Sequence, residues 1–287
     1  MNDFGRYGLW VPWQLWPEDA NPLASAALEV ESLGYGSVWL GGSPPDDLDL
    51  AEAILAATTS LVVGTSIVDI WRSNGDLLAA SQERISQQFP GRFSLGVGSG
   101  HAPTAEAVGQ AYVRPLAKLR TFLEDKLSGV PSDQLTIAAL GPKALETARD
   151  LTAGALPYLV PPAHTADARA ILGPDRLLIP EQKVVLATDP ARAREVARQR
   201  TTMYLSLPNY TTMLRRYGLT DEDLTGEGSD RYVDTVAVWG DADAIRAGVD
   251  AHLTAGADHV AVQALSADPT RRLPLEEWRQ IAKILIG

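Results

Sequence analysis

The residue types that could do chemistry lie where short apolar segments of the sequence end. Residues 96–101 read GVGSGH, and His101 is the histidine that sits among glycine and serine at such an end. An imidazole there can act as an acid or a base near neutral pH. A loop histidine without chemistry is the alternative.

The glycines around Ser99 and Gly100 predict a place where a flat ligand could approach the backbone. Glycine carries no side chain, and exposed N–H groups in such a turn can donate to a ligand. The spacing is G-x-G-x-G, which is not the dinucleotide fingerprint. A tight strand-to-helix turn would use the same residues.

A second candidate site is the run Leu140, Gly141, Pro142 and Lys143, which closes one apolar segment and opens a helical one. Proline suits the first helical position, and a helix N-terminus beside a lysine can bind phosphate. Plain helix capping, with Lys143 solvated, is the alternative.

Other chemistries lack the groups they need. The chain has no cysteine, and its 4 histidines show no metal-ligand spacing, so we expect no metal site. Neither H-E-x-x-H nor G-x-S-x-G occurs. The predicted strand ends are rich in glycine, serine and tryptophan, and Trp13 could stack on a flat ring. This inventory favours a bound cofactor over hydrolysis by the chain's own side chains.

The elements that must position these residues alternate between strands and helices. A glycine followed by an apolar run recurs at 33–40, 153–160 and 255–262, as expected where a helix ends and a buried parallel strand begins. Alternation of about eight strands with helices predicts an α/β fold, a (β/α)8 TIM barrel. An open doubly wound sheet is the alternative. Strands are predicted near 8–11, 37–40, 61–68, 93–97, 135–139, 156–160, 183–187 and 259–263.

The stretch 188–258 is longer than one crossover needs and predicts extra helices inserted before the last strand. No linker divides the chain, so we expect a single domain over 1–287. Helix starts are predicted at Asn21-Pro22 and Asp189-Pro190. His252 is predicted on a helix surface, and His259 at the start of a strand.

Charge and hydropathy limit the kinds of molecule that the protein is expected to bind. The net charge of -11 disfavours nucleic acid and anionic membranes. No apolar run is long enough to span a membrane, and the first residues show no signal segment. We therefore expect a cytoplasmic protein with a small-molecule substrate.

With these motifs in view, the chain resembles the luciferase-like monooxygenase superfamily, in particular its actinobacterial branch of oxidoreductases that use the deazaflavin coenzyme F420. The resemblance runs over nearly the whole chain. The phrases that carry it are LGYGSVWL at 33–40, GTSI at 64–67, QERI at 82–85 before GRFSLGVG at 91–98, ALGPK at 139–143 and WGDAD at 239–243.

The resemblance implies hydride transfer involving a flavin-like ring in the barrel mouth, against the third strand. It implies a non-prolyl cis peptide near Ser66 and Ile67, with Ser99 and Gly100 at the ring edge. It also implies a ribityl phosphate near 141–143. The cofactor-binding residues expected on this basis are Trp13, Gly41, Ser66, Ile67, Ser99, Gly100, Leu140, Gly141, Pro142 and Lys143.

The chain departs from this family at a position that, in many relatives, transfers the substrate proton. Many F420-dependent relatives carry an acidic residue and a histidine after the second strand, where this chain has Gly41, Gly42 and Ser43. His101 is therefore predicted to relay the proton from the other side of the site. An FMN-dependent luciferase-type monooxygenase and a catalytically silent flavin- or F420-binding barrel are the alternatives. Relatives are often dimers, so a homodimer is a candidate state.

Overall fold

The computed structural model describes residues 4–268 and 273–287 of the chain. Residues 1–3 and 269–272, which the predicted single domain includes, lie outside the described residues.

The strands and helices follow one another in the alternation that the sequence predicts. The strands are β1 (Tyr7–Pro12), β2 (Ser37–Gly41), β3 (Val62–Ser66), β4 (Val68–Asp69), β5 (Phe93–Gly98), β6 (Leu135–Ile137), β7 (Gly154–Ala155), β8 (Leu177–Leu178), β9 (Glu181–Val185), β10 (Ala237–Trp239) and β11 (Val260–Ala264).

Helices fill the connections between these strands. They are α1 (Ala20–Ser32), α2 (Asp49–Ala57), α3 (Gly75–Gln88), α4 (Ala102–Ala107), α5 (Pro115–Asp125), α6 (Pro142–Leu151), α7 (Pro162–Leu172), α8 (Pro190–Thr201), α9 (Pro208–Arg216), α10 (Asp230–Val236), α11 (Ala242–Thr254) and α12 (Leu275–Leu285).

The strands form one parallel sheet that curls into a barrel. Their order is β10-β9-β11-β1-β2-β3-β5-β6-β7-β8, with β4 paired to β5. β8 and β9 belong to one continuous run, residues 177–185. Its first part pairs with β7 and its second part pairs with β11. This run therefore joins the two ends of the sheet, and the (β/α)8 barrel predicted from the sequence is confirmed.

Two predicted strands lie elsewhere than expected. The sixth occupies β7, so the predicted 156–160 segment comes after it rather than in it. Pro157 interrupts this segment, and Leu159 has a φ of 57°, which is incompatible with a strand. The backbone of Leu159 instead donates to the Glu181 carboxylate at 3.3 Å.

The seventh strand begins earlier than the predicted 183–187 and is split into β8 and β9. Pro180 stands at the break, where a residue without an N–H cannot extend the ladder. Its carbonyl still accepts from the Ala261 N–H at 3.0 Å, so the chain continues across the gap.

Large side chains fill the barrel interior near its amino-terminal end. Trp39 is fully buried and stacks on Phe4 with ring centroids 5.3 Å apart. A Cβ on Gly64 would lie 2.3 Å from the Trp39 ring, so glycine at this position makes room for the indole. His259 is buried beside them, within 3.0 Å of the Ser37 hydroxyl. The lower barrel is a packed core, and chemistry is left to the other end.

The 188–258 insertion contains the expected extra helices and has a core of its own. Tyr232, Val233 and Leu214 are among its buried side chains. It also contributes β10, a short strand beside β9 that the sequence analysis did not predict.

One of the predicted helix starts is confirmed, and the other is displaced. Asp189 caps α8 as predicted, accepting from the Ala191 N–H at 3.2 Å. α1 instead begins at Ala20, with Asp19 as its cap and Asn21 inside the first turn. The surface placement of His252 was wrong: the side chain is fully buried and hydrogen-bonds Thr165 and Gln182, because α7 and β9 pack over that face of α11.

Candidate active site

The residues predicted to form the site lie together at the carboxyl end of the barrel, because all paired strands are parallel. Trp13 follows β1 and donates from its indole N–H to the Gly42 carbonyl at 3.1 Å. Gly41 ends β2 beneath another tryptophan, Trp10. A Cβ on Gly41 would lie 2.0 Å from the Trp10 ring, so this glycine makes room for an indole that the sequence analysis had not assigned to the site.

Ser66 and Ile67 end β3 and are joined by a non-prolyl cis peptide bond, at the position predicted from the resemblance. The Trp10 indole donates to the Ser66 carbonyl at 3.2 Å and to its hydroxyl at 3.1 Å. Ile67 packs on Gly98, where a Cβ would come within 2.9 Å of the isoleucine side chain. The β3 end is therefore held from below by Trp10 and from the side by the β5 glycines.

Ser99 and Gly100 form the turn after β5, and two aromatic side chains hold it. Trp71 donates to the Ser99 carbonyl at 2.6 Å, and Tyr112 donates to the Gly100 carbonyl at 3.1 Å. Gly100 has a φ of +50°, and a Cβ there would lie 2.3 Å from a carboxylate oxygen of Asp69. The turn is thus fixed in place and keeps a buried carboxylate close to its backbone.

His101 follows this turn at the start of α4 and is partly buried. Burial lowers the pKa of its imidazole, and the charge of Asp69 acts in the opposite direction. The net shift is downward, so the neutral form predominates near pH 7. Its ring lies 5.7 Å from that of Tyr210, which belongs to the insertion. A half-buried neutral imidazole at this place can accept a proton.

The place where many relatives carry a histidine is filled differently. Ser43, with φ 57°, accepts the backbone N–H of Asp69 on its hydroxyl at 3.0 Å. Asp69 in turn accepts from the Trp71 N–H at 2.9 Å. The loop after β2 therefore orients Asp69. The charge of this carboxylate opposes the lowering of the His101 pKa by burial.

The 140–143 run opens α6 as predicted, with Gly141 as its cap and Pro142 in its first turn. The Leu140 carbonyl accepts from the His164 Nε2–H at 2.8 Å. Lys143 is exposed and makes no ion pair with the described part of the chain. Its role in binding phosphate stays a prediction.

A groove of 340 Å³ adjoins this helix start. It runs between the first turns of α6 and α7 and the last turn of α9. His164 and Arg216 line it, together with Asp167, whose carboxylate accepts from the Tyr217 hydroxyl at 2.9 Å. The His164 Nδ1 is buried and has no hydrogen-bond partner among residues 4–268 and 273–287. This groove therefore combines one cation, one carboxylate and the buried Nδ1 of His164.

A buried ion pair lies under the mouth, and the sequence analysis did not predict it. Lys183 and Glu181 project from the same face of β9, with their charged atoms 3.0 Å apart and both side chains inaccessible to solvent. Burial lowers the pKa of Lys183 and raises that of Glu181, and each charge opposes the shift of the other. Two charged residues at alternate positions of an apolar strand were the available signal, since they must share a face.

Three tyrosines, here called the tyrosine cluster, cover this pair: Tyr158, Tyr204 and Tyr210. The Lys183 ammonium lies 3.9 Å from the centroid of the Tyr158 ring. The Tyr158 ring is also 5.2 Å from Trp10. No local spacing pointed to the cluster, because Tyr158 follows β7 whereas the other two come from the insertion.

The predicted residues therefore fall into two adjoining groups. Ser66, Ile67, Ser99, Gly100 and His101 surround the barrel mouth. Leu140, Gly141, Pro142 and Lys143 stand beside the groove. Within residues 4–268 and 273–287 there is no group of three metal-ligating side chains. In the same ranges no helix is long and apolar enough to cross a membrane.

These features define a class of protein, the (β/α)8 barrels that have an aromatic, glycine-lined mouth and an insertion before the last strand. The family model for luciferase-like monooxygenases matches residues 6–125, which confirms the predicted resemblance over this part of the chain. The matched range extends from β1 through α5 and includes His101.

A curated relative is similar over part of its length. The 5,10-methylenetetrahydromethanopterin reductase of Methanolobus tindarius is 24% identical over 159 residues. The alignment covers 47% of this chain and 49% of that protein, so the chain matches about half the length of the relative.

Solved structures are similar over nearly all of both chains, at identities that show the fold alone. The coenzyme F420-dependent tetrahydromethanopterin reductase of Methanopyrus kandleri has a TM-score of 0.74 at 14% identity, covering 98% of this chain and 99% of that one. An F420-dependent secondary alcohol dehydrogenase with an F420-acetone adduct gives 0.68 at 16%, covering 100% of each. The oxygenating component of 3,6-diketocamphane monooxygenase from Pseudomonas putida, in complex with FMN, gives 0.64 at 16%, covering 98% and 97%.

Proposed function

We propose that the protein is a coenzyme F420-dependent oxidoreductase that transfers a hydride between the deazaflavin and a small organic substrate. One observation carries this proposal: two different surfaces adjoin at the carboxyl end of the barrel. The mouth is aromatic and glycine-lined, whereas the groove beside α6 carries Arg216 and the unsatisfied His164. A flavin-like cofactor has the same two parts, a flat ring and a polar, anionic chain.

The orphaned nitrogen of His164 tests whether a cofactor chain would fit. Burial lowers the pKa of His164, so the imidazole is neutral, and its Nε2–H is already donated to the Leu140 carbonyl. Nδ1 is then an acceptor. A hydroxyl group of a ribityl chain is a donor, and it would remove the cost of leaving this nitrogen unpaired. The residues present therefore fit the group.

The phosphate would be held at the start of α6. Its first turn carries a partial positive charge. Lys143 stands in that turn, and Arg216 lines the adjoining groove. Local cations of this kind are needed on a protein with a net charge of -11, which otherwise repels anions.

The ring would lie against Ser66 and Ile67, with Ser99 and Gly100 at its edge and Trp13 and Gly41 on the side of the first two strands. When bound, the deazaflavin supplies or accepts the hydride. The chain's own contribution is to hold the ring, exclude water and place His101, whose neutral imidazole can take or return the substrate proton.

F420 is proposed ahead of FMN because the groove continues past the helix start. FMN ends at its phosphate, whereas F420 carries a further anionic tail that could lie against Arg216. An FMN-dependent monooxygenase is the second candidate, supported by the similarity in fold to the FMN-containing diketocamphane monooxygenase. A silent cofactor-binding barrel is the third, supported by Ser43 standing where many relatives have a histidine.

Titration of the purified protein with F420 and with FMN, followed by cofactor fluorescence and calorimetry, tests the assignment. We expect F420 to bind at least about tenfold more tightly than FMN, a difference of about 1.4 kcal/mol. Tighter binding of FMN would favour the monooxygenase. Binding of neither would reject all three candidates.

The variant Arg216→Ala sharpens this test. It should weaken F420 binding by about threefold to tenfold, the loss expected for one solvent-accessible charge contact, and should change FMN binding less. Arg200→Ala is the matched control, because it removes an exposed arginine of α8 that does not line the groove. Equal effects of both variants would mean that the groove does not hold the cofactor tail.

The remaining parts of the proposal concern partners and location. We propose a small-molecule substrate, no nucleic-acid or membrane partner, a homodimer as the candidate assembly and a cytoplasmic location. Light scattering of the purified protein and fractionation of cells that express it would check the last two.

A further inference from the structure

The tyrosine cluster stands between the two sides of the barrel mouth. Its rings are close to one another, with centroids 5.3 Å apart for Tyr158 and Tyr204 and 5.0 Å apart for Tyr204 and Tyr210. At one side Tyr158 contacts Trp10, and at the other Tyr210 contacts His101. The cluster thus joins the indole that holds Ser66 to the proposed proton-relay residue, so under the proposed function it would face the substrate.

Among the residues that the structure describes, the tyrosine cluster contacts no unpaired charge. The ammonium group that contacts it, from Lys183, is neutralised by Glu181 at 3.0 Å. Burial raises the pKa of Tyr158 and of Tyr210, and it raises the pKa of Tyr204 to about 12, so all three phenols stay protonated. His101 is neutral near pH 7, and the charged group behind it, Asp69, is negative.

An anionic substrate would therefore be unfavourable here. A buried carboxylate or phosphate needs a counter-ion or several donors to offset its lost hydration. The cluster offers aromatic surface and phenol hydroxyls instead. Two cations of the described residues near the site, Arg216 and Lys143, stand in the groove region that the cofactor chain would use.

The tyrosine cluster also offers one hydrogen-bond donor that can rotate toward a ligand. The Tyr204 hydroxyl donates to the Tyr158 hydroxyl at 3.0 Å, and Tyr158 donates to the Gln263 side chain at 3.2 Å. Because a phenol O–H can rotate, Tyr204 can turn to a ligand oxygen while Tyr158 keeps its bond to Gln263. Met203, the neighbour of Tyr204, is 65% exposed, so this end of the cluster lies near the surface.

We propose that the substrate is an uncharged organic molecule with a flat apolar body and a carbonyl or hydroxyl oxygen, bound with its body on the tyrosine cluster and its oxygen accepting from Tyr204. Calling this ligand the substrate rests on the proposed function. Its binding to the tyrosine cluster does not, since that follows from the cluster alone.

Three probes of similar size separate the features: acetophenone is flat and neutral, benzoate is flat and anionic, and cyclohexyl methyl ketone is neutral but not flat. Each is titrated by calorimetry into the protein with and without F420. We expect acetophenone to bind at least about tenfold more tightly than benzoate, and more tightly than the saturated ketone, because a flat ring stacks on tyrosine. Equal or tighter binding of benzoate, or binding of no probe, would overturn the proposal.

Tyr204→Phe keeps the aromatic surface and removes the donor. We expect it to weaken acetophenone about threefold to tenfold, as for one lost hydrogen bond, and to leave F420 affinity unchanged. Tyr7→Phe is the control, because it removes a tyrosine hydroxyl bonded to Asp250 at the opposite end of the barrel. Unchanged acetophenone affinity in Tyr204→Phe would reject the donor role.

Glu181→Gln changes the charge beneath the tyrosine cluster. It leaves Lys183 without its counter-ion, so benzoate should gain affinity relative to acetophenone if the variant folds. Should it not fold, Tyr204→Phe still decides the proposal. The two proposals can fail separately: protein that binds acetophenone through Tyr204 but not F420 rejects the proposed function and leaves the ligand class standing.

Discussion

At the scale of single residues, the proposed proton relay would depend on His101 and on the carboxylate of Asp69. Burial lowers the pKa of the imidazole, and the negative charge of Asp69 partly restores it. Asp69 is itself oriented by Ser43 and by the Trp71 N–H. The loop after β2 would therefore still contribute to the proposed proton relay, although it carries no histidine of its own.

The first prediction concerns this coupling. Asp69→Asn should lower the pKa of His101 further, because it removes the charge that stabilises the imidazolium. The NMR titration of the four histidines would show one resonance moving to lower pH, and the acidic limb of the activity profile should move in the same direction. Asp243→Asn, at a distant exposed site on α11, should move neither. A higher His101 pKa in Asp69→Asn would contradict the assignment.

A second prediction at this scale concerns the buried pair of Lys183 and Glu181. Removing one partner leaves the other charge buried and alone, so Lys183→Met should lower the free energy of unfolding by about 3–5 kcal/mol. The double variant Glu181→Leu/Lys183→Met should cost much less than the sum of the single changes. Urea unfolding of the four proteins measures this, and simple additivity would mean that the pair is not coupled.

At the scale of elements, neighbouring strands are fitted to each other's side chains. Trp39 on β2 is fully buried and occupies space left open by Gly64 on β3. A tryptophan needs such a gap because barrel interiors are filled with side chains rather than open. The same arrangement recurs nearer the mouth, where Gly41 makes room for Trp10.

The third prediction follows from this fit. Gly64→Ala places a Cβ 2.3 Å from the Trp39 ring, and the ring has little room to move. The variant should lose about 1–3 kcal/mol of stability, the usual cost of overpacking a core. Gly129→Ala is the control, since a Cβ there meets nothing within 4 Å. Thermal unfolding compares the two, and equal stability would show that the barrel interior can adjust.

The insertion packs against the barrel and would also contribute to the proposed substrate site. Arg194 joins α8 to α10 through Asp230 and Asp234, with charged atoms 2.8 Å and 2.6 Å apart. The segment so anchored brings Tyr204 and Tyr210 to the barrel mouth. Sequence changes in it should therefore alter substrate choice before they alter the barrel.

At the scale of the whole molecule, two buried histidines make stability depend on pH. Burial lowers the pKa of His252 to about 4, and that of His259 also to about 4. The unfolded chain binds these protons near pH 6.5, the ordinary value for histidine. The folded protein therefore binds fewer protons than the unfolded chain between pH 6.5 and 4, and acid destabilises it in that range.

The fourth prediction gives the size of this effect. Each histidine should lower the free energy of unfolding by on the order of 3 kcal/mol as the pH falls from 7 to 4. His252→Gln can still hydrogen-bond but does not titrate, so it should remove about half of the pH dependence that His252 and His259 together contribute. Urea unfolding at several pH values measures the slope. An unchanged slope would show that His252 is not buried in its neutral form.

The sequence by itself predicted the elements whose signals are local. The start of α6 could be predicted because Gly141 and Pro142 have fixed backbone preferences, and β2 and β11 could be predicted as apolar runs after a glycine. The burial of His252 could also have been found, since it follows Ile245 and Val249 at helical spacing. The predicted site residues at the barrel mouth follow from the rule that parallel strands end at one edge.

Only the tertiary structure decided how residues far apart in sequence meet. The barrel closes through the run from β8 to β9, whose break at Pro180 is set by two different neighbouring strands. Lys183 and Tyr158 approach within 3.9 Å although their own segments give no sign of it. Such contacts depend on which elements pack together, whereas a propensity depends on a residue and its neighbours. The alternation of strands and helices was thus encoded locally, whereas the meeting of the tyrosine cluster with the buried ion pair was not.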